Sequence, residues 1–232
     1  MVDLIYMAKP RFGGWVSFTT HLSLKHKYPL FKIAKRNEKT KRDFGYGVKY
    51  QNLKLDKILE RKNKILITAI DKKYYNYLDS LPDETGIVIH DPTEVRGNAK
   101  KKLRKNLGRF RIITIRKSVK NFIYEKYGLK SKFIPHPFYK FPLDKVSKNG
   151  AVSISRIDYD KHIEMIVEAN KKIVPPIDIY GFKNDLYVYR VLSHTQFPLY
   201  YKGKFNKNFS SLMNILKNKK FVVDMSIIKN DG

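Results

Sequence analysis

Short apolar runs recur along this chain, each followed by a polar segment at roughly helical spacing. "LIYM" (Leu4–Met7) leads into "GWVSFTTHLSLKHKY", and "LFKIA" (Leu30–Ala34) follows. "KILITAI" (Lys64–Ile70) precedes "DKKYYNYLDSL", "GIVIHD" (Gly86–Asp91) precedes the basic segment Arg96–Leu107, and "RIITI" (Arg111–Ile115) precedes "RKSVKNFIYEKYG". Strands this short and apolar have no face for water, so the intervening segments must cover both sides of the sheet. The pattern predicts an α/β protein of βαβ units around a parallel sheet.

The pattern breaks at "PHPFYKFPLDKVSKNG" (Pro135–Gly150), a linker by its three prolines, Asn149 and Gly150. It then restarts with "AVSIS", a helix expected over Asp160–Lys172, "IDIYG", "DLYVYRVLS", "YYKGKF", "KNFSSLMNILKNKK" and "FVVDMSI". The expected organisation is two Rossmann-like domains: residues 1–140, a linker over 141–150, and residues 151–232. The second domain reads as truncated or minimal, because a doubly wound half with both faces covered takes about 120–150 residues.

A hydrophobic content of 42%, with 14 Phe, 16 Tyr and one Trp, supplies a packed core and excludes a disordered chain. The 48 Lys and Arg against 21 Asp and Glu leave a net charge of +27. Such a field attracts polyanions: nucleic acid, an acidic membrane surface or an anionic substrate. The absence of cysteine excludes disulfides and thiolate zinc sites. The opening residues read as a first strand rather than a signal peptide, and no run approaches the roughly 18 apolar residues of a membrane span. The expected setting is the cytoplasm. The abundance of Lys, Asn, Ile and Tyr suggests an AT-rich genome.

Several motifs sit where ligands bind in open α/β sheets. In "RFGGW" (Arg11–Trp15), Gly13 and Gly14 lie between the first strand and first helix, where backbone can approach an anion at a helix N-terminus; the alternative is a plain tight turn. His90 and Asp91 stand at the carboxyl end of a strand, placed for acid/base or substrate-positioning work, or as a strand terminus and turn cap. In "RGNAKKKLRKNLGRFR", Arg96, Lys100, Lys101, Lys102, Arg104, Lys105 and Arg109 form a basic stretch that suits phosphate contacts or a solvated helix face. No helix-turn-helix, zinc-finger or RNP signature accompanies it.

In "SISRIDYDKHIEMIVEAN" (Ser153–Asn170), Arg156 follows a strand and Lys161 opens the next helix. Two cations at a helix N-terminus are unfavourable unless an anion such as a diphosphate lies between them. Asp158 and Asp160 offset part of that charge, with Asp160 expected as the N-cap. Gly181 with Phe182, in "IDIYGF", and Gly203, in "YYKGKF", mark places where a loop bends beside a nucleotide or simply turns.

These pieces, in this order, resemble GT-B glycosyltransferases, particularly the family 4 retaining group. The second half of that family reads strand, small residue-Arg, acidic residues, Lys, helix, then strands ending in Gly and in Asp plus small residues. Here those are "SISRIDYDKHIEMIVEAN", "IDIYGF", "YYKGKF" and "FVVDMS", and "FIPHPF" (Phe133–Phe138) resembles the segment before the interdomain linker. The resemblance implies a nucleotide-sugar co-substrate, UDP-glucose favoured, in an interdomain cleft. Its diphosphate would be held by Arg156 and Lys161 beside Gly13 and Gly14, with no tightly bound cofactor and no metal between protein carboxylates. The chain departs from the family at His162, where Gly is frequent, and it lacks the acidic motif that grips the donor sugar.

The N-terminal stretch "LIYMAKPRFGGWVSFTTHLSLKHKYPLFKIAK" and "GIVIHDPTEVRGNAKKKLRKNLG" are similar to the DNA α-glucosyltransferase type of T-even phages. That similarity implies His90 and Asp91 at the sugar-transfer centre, a phage setting in a host cytoplasm, and a hydroxymethylated DNA base as acceptor, flipped from the duplex. A surface glycan or capsid protein as acceptor, with the charge serving a membrane surface, remains a second reading. A non-catalytic basic DNA-binding protein is the third.

Overall fold

The computed structural model describes residues 1–9, 13–33, 44, 47–140, 148–204 and 209–226. The chain forms two compact units, Met1–Lys140 and Phe141–Asn230. Residues 141–147 of the expected linker lie outside the described residues, as do Arg11 and Ala34.

In the first unit, β1 (Val2–Met7), α1 (Gly14–His26), β2 (Leu30–Lys32), β3 (Gln51–Asn52), α2 (Leu55–Leu59) and β4 (Lys64–Ile70) come first. A 3₁₀ segment, Lys72–Ser80, leads to β5 (Gly86–Ile89), two short 3₁₀ turns and α3 (Lys101–Leu107). β6 (Arg111–Thr114), α4 (Lys117–Tyr127) and β7 (Ser131–Phe133) complete it. The seven strands pair in the order β3-β2-β1-β4-β5-β6-β7, and the pairings are parallel.

Both faces of this sheet are covered, which is why its strands read as continuous apolar runs. Along β1, Ile5 and Met7 join one core with Ile67, Ile87, Ile89, Leu103 and Val119. Leu4 and Tyr6 join another with Val16 of α1 and Phe44. The alternation is the ordinary period of two for a strand.

β4 interrupts that alternation. Ile5 of β1 stands opposite Ile67, but Tyr6 stands opposite Ala69, so Thr68 is the extra residue of a bulge. Ile65 and Ile67 pack in the first core, whereas Ala69 packs in the second, with Ile70 back in the first. One inserted residue has switched the face of those that follow. The bulge lies at the carboxyl half of the sheet, next to the candidate site.

In the second unit, β8 (Ala151–Ile154), α5 (Ile163–Asn170) and β9 (Asp178–Tyr180) come first. α6 (Asp185–Tyr187), a π-helical turn over Val188–Leu192, α7 (Phe197–Tyr200), β10 (Tyr201–Gly203), α8 (Phe209–Leu216) and β11 (Phe221–Val222) follow. Four parallel strands pair in the order β10-β9-β8-β11. The core gathers Ile157, Ile163, Ile166, Val167, Ile179, Tyr187 and Phe197. Buried Asn170 closes α5 onto the next segment: its amide donates to the Ile177 carbonyl at 3.0 Å and accepts from the Ile177 N–H at 2.8 Å.

Two boundaries differ from those the sequence suggests. α5 begins at Ile163 rather than Asp160, because His162 sits in the left-handed region (φ 44°, ψ 49°) and breaks the backbone there. Asp158, not Asp160, is the capping residue of the preceding 3₁₀ turn, accepting from the Tyr159 N–H at 2.9 Å. The basic stretch is helical only over α3, after a separate turn at Asn98–Lys100. Among the described residues no helix is long and apolar enough to cross a membrane.

Candidate active site

At the carboxyl edge of the first sheet, Gly13 is the N-terminal flanking residue of α1, with φ 156° and ψ −174°. That backbone state belongs almost wholly to glycine. A Cβ built on Gly13 or Gly14 would meet nothing within 4 Å, so the first turn of α1 borders open space. No side chain caps it, which leaves its first N–H groups for another partner.

His90 follows β5 and is buried, 5% exposed. Its Nε2–H donates to the carbonyl of Thr68 at 2.8 Å, so the bulge of β4 selects the tautomer. Nδ1 is then a bare acceptor, buried and without a partner in the protein. Burial lowers the imidazole to a pKa of about 4, so it is neutral near pH 7. Phe18 meets its ring edge to face, 5.1 Å between centroids, and His136 meets the same Phe18 at 5.5 Å.

Asp91 takes the capping role. Its Oδ1 accepts from the Thr93 N–H at 2.9 Å and the Thr93 hydroxyl at 2.7 Å, while Oδ2 lies 3.6 Å from Arg116. One carboxylate oxygen therefore builds the turn and the other faces a cation.

Glu94 was not anticipated from the sequence. Its Oε1 accepts from the Trp15 indole N–H at 2.6 Å and its Oε2 from the His90 backbone N–H at 3.1 Å. Burial pushes its carboxyl up to about 7, against the two hydrogen bonds that favour the ionised form. The available signal was "DPTE": an acidic cap with Glu three residues later, whose side chain reaches back to the chain entry.

In the second unit, Arg156 Nη1 contacts Asp158 at 3.1 Å and Nη2 contacts Asp160 Oδ2 at 3.0 Å. Lys161 Nζ donates to the Ser226 hydroxyl at 2.6 Å and lies 3.8 Å from the same Asp160 Oδ2. Both predicted cations thus converge on one carboxylate oxygen, Oδ2 of Asp160. Behind Lys161, the carboxyl of Asp224 is held below its usual range, first by hydrogen bonds from Ser226, with the lysine charge adding to them.

The glycines expected beside a nucleotide have different local causes. A Cβ on Gly181 would fall 1.8 Å from the Ser155 carbonyl oxygen, so glycine is demanded there by backbone packing. Gly203 has φ 103° with nothing within 4 Å of a Cβ, a conformational requirement instead. Phe182 is half-buried, with the Lys204 ammonium 5.6 Å from its ring centre.

The basic stretch divides. Arg104 donates to the carbonyls of Val95 and Gly97 at 2.7 and 2.6 Å, and Arg109 pairs with Asp83 at 2.6 Å. Lys102 pairs with Asp79 at 3.0 Å, Arg96 stacks 4.5 Å over Phe122, and Lys100 lies 5.8 Å over Tyr75. Lys101 and Lys105 are exposed and carry no ion pair among the described residues. Much of the expected phosphate-binding charge therefore holds the fold. No group of three or more His, Asp and Glu among the described residues is arranged to hold a metal ion.

No protein-family model matches this sequence, and no curated protein matches it. Solved structures do resemble the fold. Anabaena HepE in complex with UDP superposes over 97% of this chain and 74% of its own, with a TM-score of 0.59 at 14% identity. HepE with UDP and glucose gives 0.58 at 15%. S. aureus TarM, in a complex that includes UDP, gives 0.48 at 17% over 72% of this chain. This chain spans 37% of the TarM chain's length. The likeness to HepE runs through both units, and the architecture is that of GT-B: two Rossmann-like units, the second the smaller.

Proposed function

We propose that the protein is a nucleotide-sugar-dependent glycosyltransferase with a UDP-sugar donor, UDP-glucose favoured. The observation that carries this reading is the convergence of Arg156 and Lys161 on one oxygen of Asp160. A diphosphate entering there would replace a carboxylate already held by two cations, gaining a doubly charged partner without assembling a new site. The occurrence of UDP and glucose in the HepE complex, on a shared fold, supports the same donor class.

In the reaction, the bond between the sugar's anomeric carbon and the diphosphate oxygen breaks, and the nucleotide leaves with the electron pair. The acceptor hydroxyl forms the new bond and gives up its proton. Arg156 and Lys161 stabilise the charge that develops on the leaving diphosphate, and Ser226 keeps Lys161 extended toward it. Gly13 and Gly14 are assigned to the donor side of the reaction, His90 and Asp91 to sugar transfer. Neutral His90, with Nε2–H committed to Thr68, keeps a buried, unpartnered Nδ1 as the acceptor that a sugar or acceptor hydroxyl would have to reach. The family 4 resemblance favours retention of configuration.

For the acceptor, the net charge of +27 favours a polyanion, and the resemblance to phage DNA glucosyltransferases favours a hydroxymethylated base in DNA. Exposed Lys101 and Lys105 are the members of the basic stretch best placed to meet its phosphates. The test incubates the protein with radiolabelled UDP-glucose and either hydroxymethylcytosine-containing or unmodified duplex DNA. Label on the modified duplex alone, abolished by Lys161→Ala, is the expected result. UDP release without labelled DNA would move the acceptor to a glycan or protein. Neither label nor UDP release would count against this donor.

A further inference from the structure

We propose that Glu94 is a positioning residue of the transfer site, a carboxylate latch that joins the Gly13–Gly14–Trp15 turn to the His90–Asp91 corner. The inference rests on the glycosyltransferase reading for its functional consequence, but the latch itself stands on contacts within the first unit. Each oxygen takes one donor: Oε1 the Trp15 indole N–H at 2.6 Å, Oε2 the His90 backbone N–H at 3.1 Å. The two donors come from segments 75 residues apart, the first turn of α1 and the end of β5. Thr19, one turn along α1, completes the link from the other side: its hydroxyl lies 2.8 Å from both the Trp15 carbonyl and the Thr68 hydroxyl. The Thr68 carbonyl, in turn, orders the His90 ring. Glu94 and Thr68 therefore hold His90 by its two ends, backbone and imidazole, and tie both to the glycine turn.

Two N–H donors on two oxygens match an ionised carboxylate. A protonated one would turn an O–H toward a donor and lose at least one of the bonds. The ionisable groups around Glu94 are Asp91 on its own turn, which opposes ionisation, and Lys100, which favours it. Tyr75 on the 3₁₀ segment and His90 are uncharged near pH 7.

Trp15 is the sole tryptophan, so its indole N–H gives one unambiguous signal in a nitrogen-15 NMR spectrum. In the full chain that signal should move with pH, with a midpoint near the Glu94 value of about 7, and Glu94→Gln should remove the transition. Trp15→Phe, which removes the N–H and keeps an aromatic ring, should lower kcat for UDP-glucose turnover tenfold or more with KM within twofold. Glu94→Gln should do the same, and Glu94→Asp should recover less than wild type but more than Gln. Far-UV circular dichroism of each variant checks folding. An indole signal that Glu94→Gln leaves unshifted at pH 8, or that titrates equally in Glu94→Gln, overturns the latch. A titrating indole with turnover unchanged in both variants overturns its positioning role. Wild-type protein that turns over no UDP-sugar would sink the functional reading, while the NMR transition would still decide the latch.

Discussion

His90 and Glu94 depart from their ordinary protonation in opposite directions, and the consequence is a stability profile that hides both. Glu94 is raised from 4.5 to about 7, so its contribution is fully present below pH 4.5 and lost as pH rises through 7. His90 is lowered from 6.5 to about 4, so its contribution is present above pH 6.5 and lost as pH falls through 4. Between pH 4.5 and 6.5 the unfolded chain carries a proton on His90, the folded chain carries one on Glu94, and the two slopes cancel. Glu94→Gln should unmask His90: relative to wild type, unfolding free energy then rises across this window by about 1 kcal/mol per pH unit. Urea titrations at several pH values measure this, and parallel profiles for variant and wild type would refute it.

At the same scale, His162 stands where the glycosyltransferases that the sequence resembles frequently have glycine. The position demands left-handed backbone, which glycine adopts freely and histidine tolerates at a cost. His162 retains a 2.9 Å contact from Nδ1 to Glu164. His162→Gly should leave stability within about 1 kcal/mol, whereas β-branched His162→Val should cost roughly 1–3 kcal/mol. Thermal unfolding distinguishes them, and equal midpoints for the two variants would remove the backbone explanation.

Elements meet through a few fixed points. The close approach of β9 to the end of β8 at Gly181 leaves no room for a methyl group, so Gly181→Ala should destabilise the second unit by about 3 kcal/mol or more. Asn170→Ala would strand both the N–H and the carbonyl of Ile177, a loss of roughly 2–4 kcal/mol. Limited proteolysis or denaturant unfolding reads both losses, and a variant as stable as wild type would show that the backbone relaxes around the change. In the first unit the comparable fixed point is the Thr68 bulge, because it supplies the carbonyl that orients His90.

For the whole molecule the question is what the excess charge meets. Many cations are already committed: Arg104 to backbone carbonyls, Arg109 and Lys102 to carboxylates, Arg61 to buried Asp3 at 2.8 Å. The remainder still sets a strong field, and duplex DNA binding, if it serves the acceptor step, should weaken by about 10³-fold or more between 50 and 200 mM salt. Fluorescence anisotropy with a labelled duplex gives the slope. Binding that ignores salt would argue for a neutral glycan.

Much of this fold is readable in the sequence. Parallel sheets buried on both faces require apolar strands, so "LIYM", "KILITAI" and "GIVIHD" declared the α/β class directly. The turn between β8 and α5 that carries Arg156 and Lys161 was legible because a β-branched run gives way there to charged residues and then to helical spacing. Helix starts were less so: Asp160 resembles a cap as much as Asp158 does, and only the left-handed turn at His162 decides between them.

The sequence by itself determined the layers, the order of the strands' apolar runs and the positions of candidate charge, because these depend on local periodicity and composition. Tertiary structure alone decided which of those charges were spent on the fold. It also decided which His90 nitrogen is bonded and which is left without a partner, and that Glu94 joins segments far apart in the chain. Those outcomes depend on burial and on partners brought within 3 Å by packing, which no local pattern encodes.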